Sequence, residues 1–409
     1  MSEAWIIDAV RTPRAIGKIG KGAYSEIHPQ RLLATVLAAL KQRHDLQTRN
    51  VDDVIVGCST QGGKQARNIG RMGLLDADWD VEAPGVTLDR FCGSGLTAVN
   101  FAGMGVMSGM QDLVVAGGVE SMSHAGTLGG KTFLDSGNLH LRALHPQAHQ
   151  GVCADAIATL EGITREQADA LALESQRRAK AAIEDERFAR SLVPVYHDDG
   201  TLALDREQFP RPQTTAGDLA QLKPSFADLY EKPLDETGIS YRQLIEQVYP
   251  GLAIEHIHHA GNSSGVVDGA AAVLIASPDY ARTKGLKPRA RIRAVATAAN
   301  SPELMLNAPG PAARKVLELA GMSLRDIDLI EINEAFAVVP IKFMRDLDID
   351  PAKVNVNGGA IALGHPIGAT GAMLVGTVLD ELERRDLATG LVTLCTGAGM
   401  APSLVLERI

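Results

Sequence analysis

The sequence predicts an α/β protein whose core is one layered unit made twice, with a long excursion inserted into the first copy. Three observations carry this. Short apolar runs alternate with amphipathic stretches, the same order of motifs occurs twice, and a segment without a counterpart separates the last two strands of the first copy. The 409 residues, 45% hydrophobic and 22% charged with 41 glycines, have the bulk for two to three units and the turns to connect short elements.

The elements pair in order. The strand expected in "AWIIDAVRTP" from Ala4 corresponds to "ARIRAVATAA" from Ala290, and the amphipathic helix "HPQRLLATVLAALKQR" to "GPAARKVLELAG". Next, "VDDVIVGC" (51–58) matches "DIDLIEIN" (326–333), each an apolar run after aspartate. Two glycine-rich turns then open helices of small residues suited to close packing: "DRFCGSGLTAVNFAGMGVMSG" and "GGAIALGHPIGATGAMLVGTVLDEL". "DLVVAGG" (112–118) pairs with "GLVTLCTG" (390–397), and "GAAAVLIAS" (269–277) with "MAPSLVLER" (400–408).

Strands alternating with helices predict parallel βαβ units in each half. The first half is expected over 1–119 with 269–285, the second over 286–409, and an inserted loop or substrate-binding domain over 120–268. The insertion holds a helix, "TREQADALALESQRRAKAAIEDE", with Thr164 as N-cap and Gln167 completing a capping box.

Bulk properties remove several function classes. A net charge of -9 leaves no basic field for nucleic acid or anionic lipid. No stretch reaches the roughly 18 uninterrupted apolar residues of a membrane span. The start, "MSEAWIIDAVRTPR", reads as strand rather than leader, and "VLERI" matches no retrieval tail, so the cytoplasm is expected. Cys58, Cys92, Cys153 and Cys395 form no CxxC pair and suit a reducing compartment.

Four residues fall at corresponding edges of the two copies: Cys92 and His365 in the glycine-rich turns, Asn333 after one strand, and Cys395 after another. Ligands of open α/β sheets bind beyond the carboxyl ends of strands, where all four lie. A cysteine at a helix N-terminus is expected to have a lowered pKa and free N–H groups beside it. Locally Cys92 reads first as a small buried residue, while Cys395 reads equally as packing and His365 equally as a helix cap. Their convergence supplies a thiol with a base, the pairing that nucleophilic catalysis needs.

"FCGSG", "NEAFA", "GGAIALGHPIGATGA" and "CTGAGM", in that order, resemble the thiolase family, the acyl-CoA:acetyl-CoA C-acyltransferases. The likeness spans nearly the whole chain, through "IDAVRTP", "GGVESMS", "HAGNSSGVVDGAA" and "PGPAARKVLE". It implies a five-layered α/β/α/β/α core with a loop domain inserted in the first half. It also implies reversible thiolysis of 3-ketoacyl-CoA, or the reverse condensation of two acetyl-CoA, through an acyl-Cys92 intermediate. Cys92 would be the nucleophile, His365 its base, and Cys395 the acid or base at the α-carbon. Asn333, acting through a water, and His365 would form one oxyanion hole, and the N–H groups of Cys92 and Gly397 the other. Coenzyme A would be a substrate lying near His149, Ser264, Met305 and Phe336, with no metal or redox cofactor. A homodimer or homotetramer is implied.

Two features depart from the family pattern: Gln150 follows His149 where methionine is common, and an extra stretch runs over 227–257. Both bear on acyl specificity. The second cysteine, Cys395, argues for thiolase chemistry over a ketoacyl synthase, which pairs its cysteine with two histidines or His and Asn. A non-catalytic acyl-CoA-binding protein would not need all four reactive side chains. His256, His258 and His259 in "IEHIHHAG" fit no common zinc spacing, and Cys58 and Cys153 read as packed thiols.

Overall fold

The computed structural model describes residues 3–128 and 134–409; Met1, Ser2 and residues 129–133, part of the inserted segment, lie outside the described residues. The first half runs β1 (Trp5–Arg11), β2 (Ala15–Ile16), α1 (Pro29–Arg43), β3 (Asp53–Gly57), α2 (Ile69–Asp76), β4 (Val86–Leu88), α3 (Ser94–Met107), β5 (Leu113–Ser121) and α4 (Met122–Ala125). The insertion carries α5 (Leu139–Leu144), α6 (Gln150–Glu161), α7 (Arg165–Glu184), the small ribbon β6 (Val195–Tyr196) and β7 (Leu202–Leu204), α8 (Ala216–Ala220), α9 (Ala227–Glu231) and α10 (Tyr241–Val248). The chain returns as β8 (Val267–Ala276) and α11 (Pro278–Lys284). The second half follows with β9 (Ala290–Ala299), α12 (Pro309–Ala320), β10 (Leu329–Ile332), α13 (Val338–Leu347), α14 (Ala360–Leu363), α15 (Thr370–Arg385), β11 (Thr389–Thr393) and β12 (Met400–Arg408).

The repeat read from the sequence is a repeat in space. The main sheet has the order β10-β11-β12-β9-β1-β8-β5-β3-β4, so β1-β8-β5-β3 is mirrored by β9-β12-β11-β10 about the β1/β9 junction. That junction is short, with Trp5 opposite Arg291 and Ile6 opposite Ala290. The expected all-parallel halves are corrected. Among the strands of the described residues only β3/β4, β3/β5 and β10/β11 pair in parallel, while β8 and β12 run antiparallel to their neighbours. The reason is chain length: few residues separate β11 from β12, and a parallel crossover needs about a dozen or more.

Five layers result. α1 and α2 pack Leu32, Leu33, Val36, Leu37 and Leu74 on the outer face of the first sheet half. α12 and α13 cover the second with Val316, Leu317, Val339 and Phe343. Between the halves lie α3 and α15, sharing one core through Leu96, Val99, Val106, Met373, Val375 and Leu379. A helix buried over most of its surface is apolar or small-residued nearly all round, which is why α3 reads "SGLTAVNFAGMGVM", with Phe101 and Met104 left exposed. The two meet where side chains vanish: a methyl group on Gly371 would overlap the backbone of Leu96.

The insertion rests on the core through specific ties. Thr164 caps α7 and forms the expected box with Gln167. Glu207, after β7, reaches the end of β1, where Arg11 Nη1 and Arg14 Nη1 lie 2.6 and 3.1 Å from its carboxylate. Buried pairs of this kind are a constraint on register more than a source of stability.

Candidate functional site

The site lies where three turns interlock. The turn "RFCGS" leads into α3, with Phe91 at φ +48°, a left-handed conformation that a bulky residue rarely adopts. Such strain persists only where surrounding contacts determine it, and here they do. The segment after β11 packs directly on this turn: a methyl on Gly93 would strike the Thr396 side chain, and one on Gly397 would come within 2.8 Å of the Phe91 ring. That places Cys395 and Gly397 against Cys92. The third turn, "GHPIGATG", packs its Gly368 carbonyl against Gly95, where an added methyl would be 2.7 Å away. His365 precedes that carbonyl by three residues.

A cleft of about 230 Å³ opens on this junction, lined by Ser59, Phe91, Cys92, Leu134, Gln147, Ala148, His149, Gln150, Tyr241, Met305, Ile367 and Gly397. Of the residues singled out from sequence, Cys92, His149, Met305 and Gly397 therefore share one wall. His365, Asn333 and Cys395 do not line it and are buried. The "GNSSG" segment ties them together. Ser264 N–H donates to the Ala335 carbonyl at 2.9 Å, and His365 N–H donates to the Gly265 carbonyl at 2.9 Å. Asn333 N–H donates to Thr393 at the end of β11, two residues before Cys395, at 3.2 Å. Phe336 does not line the cleft; it packs edge-on between Phe226 and His258, 5.9 and 5.6 Å away. Phe226 in turn contacts His149 at 5.5 Å.

The hydrogen bonds of His365 determine its tautomer. Its Nδ1 is 2.6 Å from the Thr370 hydroxyl, which donates to the Pro366 carbonyl at 2.9 Å. A hydroxyl has one proton to give, so Nδ1 carries the hydrogen and Nε2 is left with its lone pair. That Nε2 is buried without a partner, as are both polar atoms of the Asn333 side chain. Unpartnered buried polar groups are uncommon and mark places where a ligand or water completes the set. Burial, reinforced by the nearby Arg14, lowers the His365 pKa to about 3, so the ring is neutral.

The expected lowering of the Cys92 pKa is corrected. Burial, then the neighbouring Glu120 charge, push the thiol up to about 12. Gly93 caps α3, and desolvation outweighs the helix N-terminus that follows. Burial and the proximity of Cys92 likewise push Cys395 well above its ordinary value. Both thiols rest protonated.

The neighbouring histidines are accounted for by carboxylates. His256 and His258 both face Asp155, at 2.8 and 2.7 Å, and His259 faces Asp169 at 2.8 Å. Cys58 and Cys153 are buried free thiols. A second groove, of about 310 Å³, is lined by Glu26, His28, Arg31, Asp76 and Asp198. There Arg31 is already paired with Asp76 and Asp198 at the surface.

Several cleft residues were missed from sequence. Tyr241 comes from the extra stretch and lies edge-on to His149, 6.1 Å away. It starts α10, whose N-cap Ser240 and Gln243 form a capping box, a signal present in "SYRQ". Leu134 is held by its neighbour Asp135, which takes Arg142 Nε at 2.6 Å while Arg142 Nη1 reaches Asp235 at 2.7 Å. Thr370 and Glu120 were present in "GHPIGATGA" and "GGVESMS" but unassigned.

The model for the thiolase N-terminal domain matches residues 4–229, and that for the thiolase C-terminal domain matches residues 286–408. The chain belongs to the thiolase family, and is an acyltransferase. It is 40% identical to the steroid 3-ketoacyl-CoA thiolase FadA6 of Mycobacterium tuberculosis, covering 100% of this chain and 95% of that one. With the 3-oxoadipyl-CoA/3-oxo-5,6-dehydrosuberyl-CoA thiolase of Escherichia coli it shares 39% identity over the full length of both. The crystal structure of the Bacillus anthracis acetyl-CoA acetyltransferase superposes with a TM-score of 0.83 at 34% identity, covering 100% of this thiolase and 99% of that chain. No helix among its described residues is long and apolar enough to cross a membrane.

Proposed function

We propose that this thiolase cleaves 3-ketoacyl-CoA with CoA to acetyl-CoA and a shortened acyl-CoA, and runs the reverse condensation, through an acyl group carried on Cys92. The observation that carries this is the His365 ring, with its proton fixed on Nδ1 by Thr370 and an unpartnered Nε2 in a turn packed against that of Cys92.

In the cleavage direction, Nε2 takes the Cys92 proton as sulfur attacks the substrate's C3 carbonyl. The C2–C3 bond then breaks, leaving its electron pair on C2 as the enolate of acetyl-CoA. Cys395, kept protonated by burial, gives C2 its proton. CoA then enters as the thiol, loses its proton to the Cys395 thiolate and attacks the acyl-Cys92 carbonyl, while the departing Cys92 sulfur takes back its proton from His365, restoring the free enzyme. Negative charge develops on one oxygen near Cys92 and Gly397, whose backbone N–H groups stabilise it. It develops on another near His365 and a water held by Asn333. In these roles Asn333 and His365 gain partners that no other side chain or backbone group of the protein gives them.

His149, Ser264, Met305 and Phe336 are assigned to the pantetheine arm of CoA. Ser264 presents a small side chain, and Met305 and His149 stand on the cleft wall. The chemistry requires no metal or redox cofactor, because the thioester itself acidifies the α-carbon and provides the leaving group. We also assign a homo-oligomer in the cytoplasm. The free edge β4 exposes Val86, and α3 exposes Phe101 and Met104, an apolar surface beside the Cys92 turn. Light scattering giving a monomer, or fractionation placing the protein elsewhere, would remove these assignments.

The deciding experiment incubates the protein with acetoacetyl-CoA and CoA, follows loss of the ketoacyl thioester, and analyses the protein by mass spectrometry. Turnover with an acetyl adduct on Cys92 is expected. Absence of both would sink the proposal.

A further inference from the structure

The turn that carries His365 is held at both ends by a buried carboxylate. Before it, Glu334 Oε2 accepts the Ile361 N–H at 3.2 Å and the Ser175 hydroxyl at 2.7 Å, and Asn355 Nδ2 donates to Oε1 at 3.0 Å. The Ser175 oxygen accepts in turn from Gly359 N–H at 3.0 Å. After it, Glu120 Oε2 accepts from Gly368 N–H and Ser59 N–H, both at 2.9 Å. Its Oε1 takes Thr60 N–H at 3.0 Å and Gln65 Nε2 at 3.1 Å. Glu120 and Glu334 are 0% and 3% exposed.

Two aspects of this arrangement go beyond packing. Each of these partners is a donor, so each site requires an acceptor on both oxygens; a neutral amide would turn an N–H against an N–H. Burying a carboxylate is unfavourable, and apolar residues of similar volume commonly stabilise a core as well or better. What the carboxylates do here is join segments. Glu120 links the His365 turn to Ser59, on the cleft wall, and to the strand end beside the Cys92 helix. Glu334 follows Asn333 directly and links the same turn to α7 of the insertion.

We propose that Glu120 and Glu334 are positioning residues that together hold His365 at the distance from Cys92 where Nε2 can take the thiol proton. Neither touches substrate; both position His365, and because Glu120 also places its charge beside Cys92, Glu334→Gln isolates the positioning role. This rests on the acyl-Cys92 reading above, and the test separates the two.

The rate of acetyl-adduct formation on Cys92 is measured by mass spectrometry after mixing with acetyl-CoA. The variants are Glu120→Gln, Glu334→Gln and Ser175→Ala, each in the wild-type and His365→Ala backgrounds. CoA affinity is followed by calorimetry. Displacing a catalytic group by about 1 Å lowers rates by roughly a hundredfold. Glu120→Gln and Glu334→Gln are expected to slow acylation by about tenfold or more, with CoA affinity within about threefold of wild type. In the His365→Ala background the same substitutions are expected to change the rate less than about twofold, since residues acting as a unit are non-additive. A purely structural role would give equal losses in both backgrounds, and that result overturns the proposal. So does acylation by the variants at the wild-type rate. Ser175→Ala, which removes one hydroxyl from α7, carries the same test should either glutamine variant not fold. Wild-type protein that forms no adduct overturns the acyl-Cys92 reading itself, and this inference with it.

Discussion

The Thr370 hydroxyl lies 2.6 Å from Nδ1 of His365, five residues earlier, and bridges it to the Pro366 carbonyl. One side chain thereby sets the tautomer of the candidate base. Thr370→Val keeps the shape and removes the acceptor, leaving Nδ1–H buried and unpaired. A drop in kcat of about tenfold, equivalent to roughly 1.4 kcal/mol, is expected with KM little changed. Steady-state thiolysis of acetoacetyl-CoA checks it.

The roles proposed for the two thiols can be separated by experiment. Cys92→Ser is expected to form no thioester adduct. Cys395→Ser is expected to acylate Cys92 from acetyl-CoA yet fail to exchange the methyl protons of acetyl-CoA with deuterated water. Mass spectrometry and proton NMR read the two steps independently, and normal exchange by Cys395→Ser would remove its assigned role.

Acid stability follows from His365. Its pKa lies near 3 in the folded chain against 6.5 for the free side chain, so the unfolded state binds a proton that the folded state refuses. Stability from this group is complete above about pH 6.5 and is lost as pH falls from there towards 3. His365→Asn, uncharged throughout, is expected to lose less stability between pH 7 and pH 5 than wild type. Urea midpoints at the two pH values give the comparison.

Tyr241 and the Arg142 clamp shape the mouth of the cleft. Tyr241→Ala is expected to raise kcat/KM for longer or bulkier 3-ketoacyl-CoA relative to acetoacetyl-CoA by about tenfold, as removed side-chain volume is worth roughly 1–3 kcal/mol in such pockets. Tyr241→Phe should leave the preference unchanged. A panel of 3-ketoacyl-CoA substrates distinguishes the outcomes, and an unaltered preference in the alanine variant would remove Tyr241 from specificity.

Arg142→Ala leaves Asp135 and Asp235 without their shared partner. A lower thermal midpoint and a raised KM are expected, with kcat less affected, because Leu134 and Tyr241 stand on the wall and not at the reacting atoms. Arg142→Lys, which cannot reproduce the fork, should restore part of the loss.

Much of the site was legible because the chain repeats its own pattern: two glycine-rich turns in matching positions of the sequence pair Cys92 with His365. The strand directions were legible too and were misread. The short link between "TLCTG" and "MAPSL" already required an antiparallel hairpin, and the repeat carries that direction to β8. Tyr241 was not legible as a cleft residue. Its helix signal was local, but whether α10 faces the cleft depends on Leu244 and Ile245 packing with Val152 and Met305, which lie roughly 60 to 90 residues away in sequence.

The sequence by itself determined the duplicated α/β order, the glycines that let the turns touch, and the reactive side chains Cys92, Asn333 and Cys395 just past strands; His365, expected at a strand end too, lies instead in the turn between α14 and α15. Tertiary structure alone decided their chemical state. The Cys92 thiol sits high despite the helix that follows, His365 is neutral with its free nitrogen defined by Thr370, and two glutamates distant in sequence hold the turn between them. Periodicity and motif report which residues share a face or an edge. A pKa or a tautomer depends on burial and on partners brought from elsewhere in the chain, and only the folded arrangement sets those.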